Sequence, residues 1–316
     1  MNEKISARKV FGETLAEYGA INKDVVVLVA DVSTSVQTDY FAGKFPERFF
    51  NVGIAEAGMV DIAVGLALGG MIPFANTFAG LFLRAIEQIR TCVSHAKTNV
   101  KLIGGYAGLS DFKDGATHHS IMDIATLRSM PGISIVIPAD PTEIKKMIPL
   151  VAEYPGPVYM RISRAEMPVI FDDTHKIEIG KGITVCEGDD VSIIATGSMV
   201  ARSIQARDIL LKEGIRVKII NMHTIKPLDV HIIKEAAQTG AIVTVEEHSI
   251  TGGLGSAVAE VLGETFPTVI KRIGINDTFA ETGPSYEELL DHYGMAVEDI
   301  VRACKEVLER KERIIK

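Results

Sequence analysis

The chain has 316 residues and a formal net charge of −8, with acidic and basic residues interspersed along it. This charge balance argues against nucleic acid or an anionic membrane surface as the main partner. The length allows two domains of ordinary size, each with a hydrophobic core of its own.

The cysteines and the apolar segments of the sequence indicate the cellular compartment of the protein. Three cysteines lie far apart without a CxxC pair, so neither a disulfide framework nor a thiolate metal site is predicted; they are Cys92, Cys186 and Cys304. The amino terminus, MNEKISARKV, lacks the apolar segment of a signal peptide. Residues 52–74 are the longest apolar stretch, but they carry Glu56 and Asp61, which disfavours a membrane span. We expect a soluble cytoplasmic protein with no membrane or nucleic-acid partner.

Short β-branched runs alternate with amphipathic stretches in the first half of the chain, a pattern typical of parallel sheets covered by helices. The predicted strands are DVVVLVADV, MIPFANT, VKLIGGY, ISIVIPAD and PVYMRIS. Helices are predicted to begin near Ala55, Phe78, Ser120 and Thr142. The following segment, AEMPVIFDDTHKIEIGKG, lacks helical periodicity and is predicted to be a crossing linker with a small hairpin.

The alternation restarts after this segment. The predicted strands are DVSIIATG, RVKIINMH, AIVTVEEHS and TVIKRIGI, with helices near residues 199–214, 230–239 and 253–264. We therefore predict an α/β protein with two tandem domains, each a mainly parallel sheet covered by helices. The first domain is assigned to residues 1–175, the linker to 176–188 and the second domain to 189–316.

One carboxylate, Glu56, stands near the entrance of the apolar run NVGIAEAGMVDIAVGLALGG. The run has helix-forming composition and ends in Gly69-Gly70, so Glu56 falls in the first turn of a helix predicted to be largely buried. Two interpretations stay open from the residues alone. The carboxylate complements a helix N-terminus, or it is a buried acid that holds a ligand's proton.

Ligands of open parallel sheets bind beyond the carboxyl ends of the strands, so the informative residues should follow the predicted strands. The segments there are ADVSTS, NTF, GGYAGLSDFKDGATHH and SR. The third is a glycine-rich loop that presents Asp111, Asp114, His118 and His119 together, either as reacting groups or as structural hydrogen-bonding residues.

The second domain offers weaker signals. EEHSITGGLGSAVAE resembles a dinucleotide fingerprint, but Val258 occupies the place of the third glycine, so glycines that shape a helix start are the better interpretation. TGSM at 196–199 is interpreted as a turn leading into a helix. His223 and His248 follow strands and are interpreted as polar loop residues. The chain contains no GxSxG, HExxH or GxxxxGK[ST] motif.

Several motifs, in order, resemble transketolases. They are IAE at 54–56, NTFAGLFLRAIEQIR at 76–90, DGATHHS at 114–120, RSMPGISIVIPADPTE at 128–143 and MRISR at 160–164. The resemblance covers essentially the whole chain, but only the carboxyl-terminal half of that enzyme, which comprises its pyrimidine-binding domain and the domain after it. It implies the cofactor thiamine diphosphate.

In this family a separate domain with a GDG sequence holds the diphosphate and a divalent ion. The present chain has no GDG, and EGDD at 187–190 does not qualify. The resemblance therefore implies one subunit of a split transketolase with no metal ligands of its own. An amino-terminal partner chain with GDG would hold Mg²⁺ (or Ca²⁺) in an α2β2 heterotetramer.

The resemblance also assigns the cofactor residues. Glu56 corresponds to the acid that lends a proton to the cofactor's pyrimidine nitrogen, which the cofactor's own amine needs to act as a base. Ile54 is placed to touch the bend of the cofactor, and Phe78 corresponds to the aromatic residue that stacks on the pyrimidine. Leu81 and Arg84 replace further family aromatics in this segment.

The substrate residues come from the same resemblance. His118 matches the residue at the substrate oxygen whose charge changes during the reaction, which gives it a catalytic role, and Asp114 matches one at a neighbouring hydroxyl. The terminal phosphate of the sugar is assigned to Arg8, Ser35 and Arg164, since guanidinium groups suit a phosphate dianion. Tyr106 stands where many transketolases place a phosphate-contacting histidine, a departure that bears on phosphate recognition.

The resemblance implies a two-chain transketolase that moves a two-carbon ketol unit from a ketose phosphate to an aldose phosphate, as in the pentose phosphate pathway. Two enzymatic alternatives share the IAE acid: a deoxyxylulose-phosphate synthase and the β subunit of a 2-oxo-acid dehydrogenase. DGATHH and Arg164 favour transketolase, because pyruvate needs no such contacts. A non-catalytic scaffold subunit is the alternative from another class.

Overall fold

A computed structural model describes residues 4–315 of the chain. Two larger sheets and one two-stranded sheet are each built from short segments, with helices between the strands. The first half contains β1 Lys4–Ser6, α1 Ala7–Ile21, β2 Val25–Val29, α2 Ser33–Val36, α3 Asp39–Lys44, β3 Phe49–Asn51, α4 Glu56–Leu68, β4 Ile72–Phe78, α5 Ile86–Gln88, β5 Lys101–Gly105, α6 Asp123–Arg128, β6 Ser134–Val136, α7 Pro141–Glu153, β7 Val158–Arg161 and β8 Glu166–Pro168. Short 3₁₀ helices cover Pro46–Arg48 and Ala79–Ala85, and a π-helical turn covers Ile89–His95.

The second half repeats the alternation of strand and helix. It contains β9 Ile183–Cys186, β10 Val191–Ala195, α8 Met199–Lys212, β11 Val217–Asn221, β12 Thr224–Lys226, α9 Val230–Ala237, β13 Ala241–Ser249, α10 Leu254–Thr265, β14 Val269–Ile275, α11 Tyr286–His292 and α12 Val297–Ile315. The predicted α/β class with two mainly parallel, helix-covered sheets is confirmed.

The first sheet has seven strands in the order β12-β6-β7-β5-β4-β2-β3. All neighbours are parallel except β12, which pairs antiparallel with β6. The five residues of β2 are all buried because helices cover both faces of the sheet, as is usual for parallel strands. The edge strand β12 comes from the second half of the chain and ties the two halves together.

The second sheet has five strands in the order β14-β13-β10-β11-β9, of which only β9 is antiparallel to its neighbour. Strand β9 lies inside the segment 176–188 that the sequence assigns to a linker. The small hairpin predicted for the preceding segment is wrong. Within the described residues its one strand, β8, pairs antiparallel with β1 at the start of the chain, a partner about 160 residues away that local sequence does not reveal.

Alternate side chains of each strand point to opposite faces of the sheet, so they belong to different hydrophobic layers. Val25 and Val27 of β2 face α1 and α7 on the outer side of the first sheet, whereas Val26 and Leu28 face α4. The layer that contains α4 continues into one face of the second sheet, where Ile194 belongs to the same cluster. The two halves therefore share a core.

Helix α4 begins at Glu56 and ends before Gly69-Gly70, as predicted, with Gly70 at a φ of +89°. The prediction that it is largely buried is wrong, because only one side of it packs against the sheet. Apart from Glu56 and the exposed Asp61 its residues are apolar, a pattern that calls for a second packing partner. We call the exposed apolar residues on and just after this helix the α4 face; they are Ile62, Leu68 and Met71, and the exposed Asp61 lies on the same helix.

Candidate functional site

Four segments meet at the carboxyl edge of the first sheet. Ser35 follows β2, Phe78 ends β4, Tyr106 follows β5, and Arg164 follows β7. These strands are neighbours in the order β7-β5-β4-β2, and they are parallel, so their carboxyl ends lie along one edge. This edge is where an open parallel sheet binds its ligands.

Glu56 is the first residue of α4 and only 2% exposed. Its Oε2 lies 3.5 Å from Nε of Arg84, which is 59% exposed, so water screens this pair. Its Oε1 is buried and has no hydrogen-bond partner among residues 4–315. The positive end of the α4 dipole favours the carboxylate, but a buried polar atom without a partner is costly unless a ligand supplies one.

Tyr106 is the centre of an aromatic and cationic cluster. Its ring stacks on Phe78 with centroids 4.0 Å apart and an angle of 16° between the planes. The guanidinium of Arg8 lies 5.1 Å from the Tyr106 ring centroid and donates to the Tyr106 hydroxyl at 2.8 Å and to the Ser35 carbonyl at 2.7 Å. The ring of His118 lies 5.9 Å from that of Phe78. These contacts bring five sequence-selected positions together.

Arg164 completes the cluster with a carboxylate that the sequence analysis noted but did not assign. Its guanidinium lies 5.4 Å from the Tyr106 ring centroid, and its Nη1 lies 3.5 Å from Oδ1 of Asp111. Asp111 is fully buried, and neither of its carboxylate oxygens finds a hydrogen-bond partner in the described part of the chain. Burial raises the pKa of Asp111 to about 6, the neighbouring Asp114 adds to the rise, and Arg164 opposes it.

The remaining predicted residues lie nearer the surface. Ile54 is 71% exposed and precedes α4, and Asp114 is exposed on the 106–120 loop. His118 is half-buried, with its Nδ1 3.0 Å from the Thr117 hydroxyl. His119 points elsewhere, because its buried ring places Nε2 3.0 Å from the carbonyl oxygen of Asp111. The structure thus leaves Ile54 and Asp114 open to a ligand or partner rather than inside the cluster.

The interpretation as a polar loop residue is confirmed for His223, which lies in the two-residue connection between β11 and β12, and is wrong for His248. Both are fully buried, and His248 lies inside β13 next to the buried carboxylates Glu246 and Glu247. Burial lowers the pKa of His248 to about 4 and raises the pKa of Glu246 to about 7. The signal for this buried polar group was visible, since three ionisable residues in a row inside the predicted strand AIVTVEEHS call for internal partners.

The glycines after β13 shape a helix start, as interpreted from the sequence. Glu246 accepts hydrogen bonds from the backbone amides of Leu254 and Gly255 at 2.7 and 2.8 Å, so its carboxylate caps α10. A Cβ at Gly253 would lie 2.0 Å from Glu246 Oε2, which leaves room only for glycine. The carboxylate therefore already occupies the backbone amides that a bound phosphate would need as hydrogen-bond donors.

Neither a metal-binding cluster nor a membrane-spanning helix occurs among the described residues. No three or more His, Cys, Asp or Glu side chains within residues 4–315 are grouped so that they could hold a metal ion. In the same range, no helix combines the length and the apolar character that crossing a membrane requires.

Comparisons with known proteins identify the two halves of the chain. The family profile described as "Transketolase, pyrimidine binding domain" matches residues 3–169. The profile described as "Transketolase, C-terminal domain" matches residues 180–300. The first match contains the whole aromatic and cationic cluster, and the second contains β13 and its buried carboxylates.

Similar proteins agree with these profiles over nearly the whole chain. A Methanocaldococcus jannaschii protein provisionally named a transketolase C-terminal section is 44% identical over 309 residues, 96% of each chain. One subunit of the apulose-4-phosphate transketolase of Phocaeicola vulgatus is 40% identical over 311 residues, 98% of each chain. A solved structure described as "Split gene transketolase, inactive beta4 tetramer" superposes with a TM-score of 0.90 at 42% identity, covering 97% of this chain and 99% of that one. The chain therefore belongs to the transketolase family, of which it contains the pyrimidine-binding and carboxyl-terminal domains.

Proposed function

We propose that the chain is the catalytic carboxyl-terminal subunit of a two-chain transketolase that depends on thiamine diphosphate. The complex transfers a two-carbon ketol unit from a ketose phosphate to an aldose phosphate. One observation carries the proposal: Glu56 is buried at the start of α4, and its Oε1 has no partner among the described residues. A carboxyl group in that state is suited to share a proton with a bound heterocycle.

The chain's residues fit the pyrimidine half of the cofactor. The unpartnered Oε1 of Glu56 would share a proton with the pyrimidine ring, Phe78 would offer the ring face that is not stacked on Tyr106, and the exposed Ile54 would contact the bend of the molecule. When bound, thiamine diphosphate supplies the carbon nucleophile and the electron sink for breaking and making a carbon–carbon bond. The chain orients the cofactor and keeps water away from the reacting atoms.

The cationic side of the cluster fits the substrate's phosphate. The guanidinium groups of Arg8 and Arg164 lie 5.1 and 5.4 Å from the Tyr106 ring centroid, and the buried Nε of each has no partner among residues 4–315. Their guanidinium groups and Ser35 bind the terminal phosphate. His118, beside Phe78, stabilises the substrate oxygen whose charge changes, and Asp114 accepts from a neighbouring hydroxyl.

A partner chain completes the site. We assign the diphosphate and its Mg²⁺ or Ca²⁺ to an amino-terminal transketolase subunit with a GDG motif, because the GDG sequence that holds them in this family does not occur in the present sequence. The split-gene relative, and the relative named as one subunit of a transketolase, support a multi-chain enzyme. We propose an α2β2 heterotetramer in which the α4 face is covered by the second copy of this chain.

We further propose that the complex works in the cytoplasm on sugar phosphates such as those of the pentose phosphate pathway. All three cysteines are free in the structure, which suits a reducing compartment. One relative is named for apulose 4-phosphate, so ketose phosphates outside that pathway belong in the donor assay.

The test is reconstitution with an amino-terminal transketolase chain that bears GDG. We expect ketol transfer from xylulose 5-phosphate to ribose 5-phosphate that requires both chains and thiamine diphosphate. Release of carbon dioxide from pyruvate without ketol transfer would contradict the proposal in favour of a synthase or 2-oxo-acid enzyme. A Glu56→Gln variant with unchanged turnover would favour a scaffold subunit, since the catalytic site would then lie elsewhere.

A further inference from the structure

The 106–120 loop connects the candidate site to the second domain. It leaves the first sheet after β5 and returns ahead of α6. Its neck is closed by two backbone hydrogen bonds between Gly108 and Ser120, with N–O distances of 3.1 and 3.0 Å. Between these residues the loop carries Asp111, Asp114 and His118, so its position decides where they stand.

The side chain of Glu247, in β13, binds the segment of the neck that contains Gly108 and Leu109. Its Oε1 accepts from the backbone amide of Leu109 at 2.6 Å. Its Oε2 accepts from the hydroxyl groups of Ser198 and Tyr286 at 2.8 and 2.6 Å. The carboxylate is buried and both oxygens are used, so its orientation is fixed by the second domain while it holds an amide of the first.

The geometry at Gly108 shows how closely the carboxylate fits. Gly108 has a φ of +65°, and a Cβ built on it would lie 2.2 Å from Oε1 of Glu247. Only glycine permits this approach of backbone to side chain. The backbone of the loop at Gly108 therefore packs directly against the Glu247 carboxylate.

The other side of the neck is held through the backbone of the same residue. Arg161 donates to the carbonyl of Ser120 at 2.7 Å and to the carbonyl of Glu247 at 3.0 Å. Its guanidinium pairs with the buried carboxylate of Asp123 at 2.9 Å, which keeps it in place. Both segments of the neck are thus attached to Glu247. Leu109 binds its side chain, and Ser120 is linked to its backbone carbonyl through Arg161.

Packing extends the attachment beyond the neck. Leu109 and Ile121 belong to the hydrophobic core of the second domain. The carbonyl of Phe112 accepts from the amide of Gly283 at 2.9 Å, and the carbonyl of Ile121 accepts from the amide of Ser249 at 2.8 Å. The loop is therefore built on the second domain, although its chain belongs to the first.

The far end of the loop reaches the candidate site. Ser110 accepts from the backbone amide of Arg164 at 3.0 Å, Asp111 faces the Arg164 guanidinium at 3.5 Å, and His118 lies beside Phe78. We propose that Glu247 is a positioning residue for the substrate, acting through the 106–120 loop, and that this is a task of the carboxyl-terminal domain. The inference rests on the proposed function for its substrate, but the attachment of the loop can be tested without it.

The neighbouring Glu246 offers a matched control. It is also buried in the same strand, and its carboxylate also accepts from the backbone, but from the two amides of Leu254 and Gly255 in α10. Replacing either residue by alanine removes a buried carboxylate from β13. Only Glu247→Ala removes a contact to the loop.

Hydrogen–deuterium exchange on the isolated chain tests the attachment. We expect Glu247→Ala to raise amide exchange in peptides covering 106–120 by tenfold or more. Glu246→Ala should raise exchange near 250–258 and leave the loop within twofold of the wild type. Equal exchange of the loop in both variants, or an unchanged loop in Glu247→Ala, would overturn the inference.

Kinetics of the two-chain complex test the consequence. Glu247→Ala should raise the KM for the ketose phosphate fivefold or more, with the affinity for thiamine diphosphate within twofold, whereas Glu246→Ala should change KM less than twofold. If Glu247→Ala does not fold, Tyr286→Phe serves instead, because it removes one hydroxyl donor that orients the Glu247 carboxylate. It should raise the same KM by a smaller factor, with the affinity for thiamine diphosphate again unchanged. An unchanged KM in this variant would contradict the inference. An inactive wild-type complex would refute the proposed function while the exchange result still decides on the loop.

Discussion

The α4 face gives a prediction whose size follows from the structure. Leu68 is 76% exposed at the end of α4, and a buried leucine side chain contributes about 2 kcal/mol relative to an exposed one. Covering the exposed three quarters is therefore worth about 1.5 kcal/mol per chain. A twofold interface contains the residue twice, so Leu68→Ser should cost about 3 kcal/mol, or about 100-fold in the dissociation constant.

Sedimentation equilibrium of the isolated chain measures this constant directly. The matched control is Ile21→Ser, since Ile21 is 82% exposed at the end of α1, on the opposite side of the first sheet from α4. We expect the wild type and Ile21→Ser to self-associate alike and Leu68→Ser to dissociate at far higher concentration. Equal dissociation constants for Leu68→Ser and the wild type would refute the assignment of this face, and so would an equal loss in the control.

Three further predictions concern the cluster and the buried carboxylates. Arg164→Lys loses the planar fork and should raise the KM for a phosphorylated donor about tenfold in steady-state assays, with little effect on an unphosphorylated ketose. Tyr106→Phe removes one of the two acceptors of Arg8 and should raise the same KM by about fivefold, with a smaller change in kcat. The pKa of Glu246 is raised by burial from 4.5 to about 7, so its contribution to stability is greatest at low pH and is lost as the pH rises through about 7. Relative to Glu246→Gln, the wild type should therefore lose about 3 kcal/mol of unfolding free energy between about pH 4.5 and pH 8, measured by urea titration, and parallel pH profiles of the two proteins would contradict the raised pKa.

Periodicity predicted the strands that carry the most buried residues. The runs around β2, β4, β5 and β13 are β-branched and lie between loop signals, so their pattern is local. The three-residue strands β3 and β12 have no such pattern, because their pairing depends on a neighbour brought by the fold. The helix predicted from Phe78 onwards forms instead as a 3₁₀ segment, a short α-helix and a π-turn.

The sequence indicated which residues lie at the carboxyl edge of the first sheet, but not how their side chains contact one another. The loops after the parallel strands contain Arg164 and His118, and their common edge follows from topology alone. The stack of Phe78 on Tyr106 and the approach of Asp111 to Arg164 depend on side-chain packing that no spacing rule contains. The contact of Glu247 with the 106–120 loop could not be predicted for the same reason, since its partner Leu109 is 138 residues away.

The central claim is that Glu56 shares its proton with the pyrimidine of thiamine diphosphate. The most direct measurement is the rate at which the cofactor's thiazolium C2 proton exchanges with deuterium in the two-chain complex, followed by quenched-flow NMR. Glu56→Gln should slow this exchange by about 100-fold or more, the usual range for loss of a proton-transfer group, while the complex still binds the cofactor. An exchange rate equal to that of the wild type would contradict the claim.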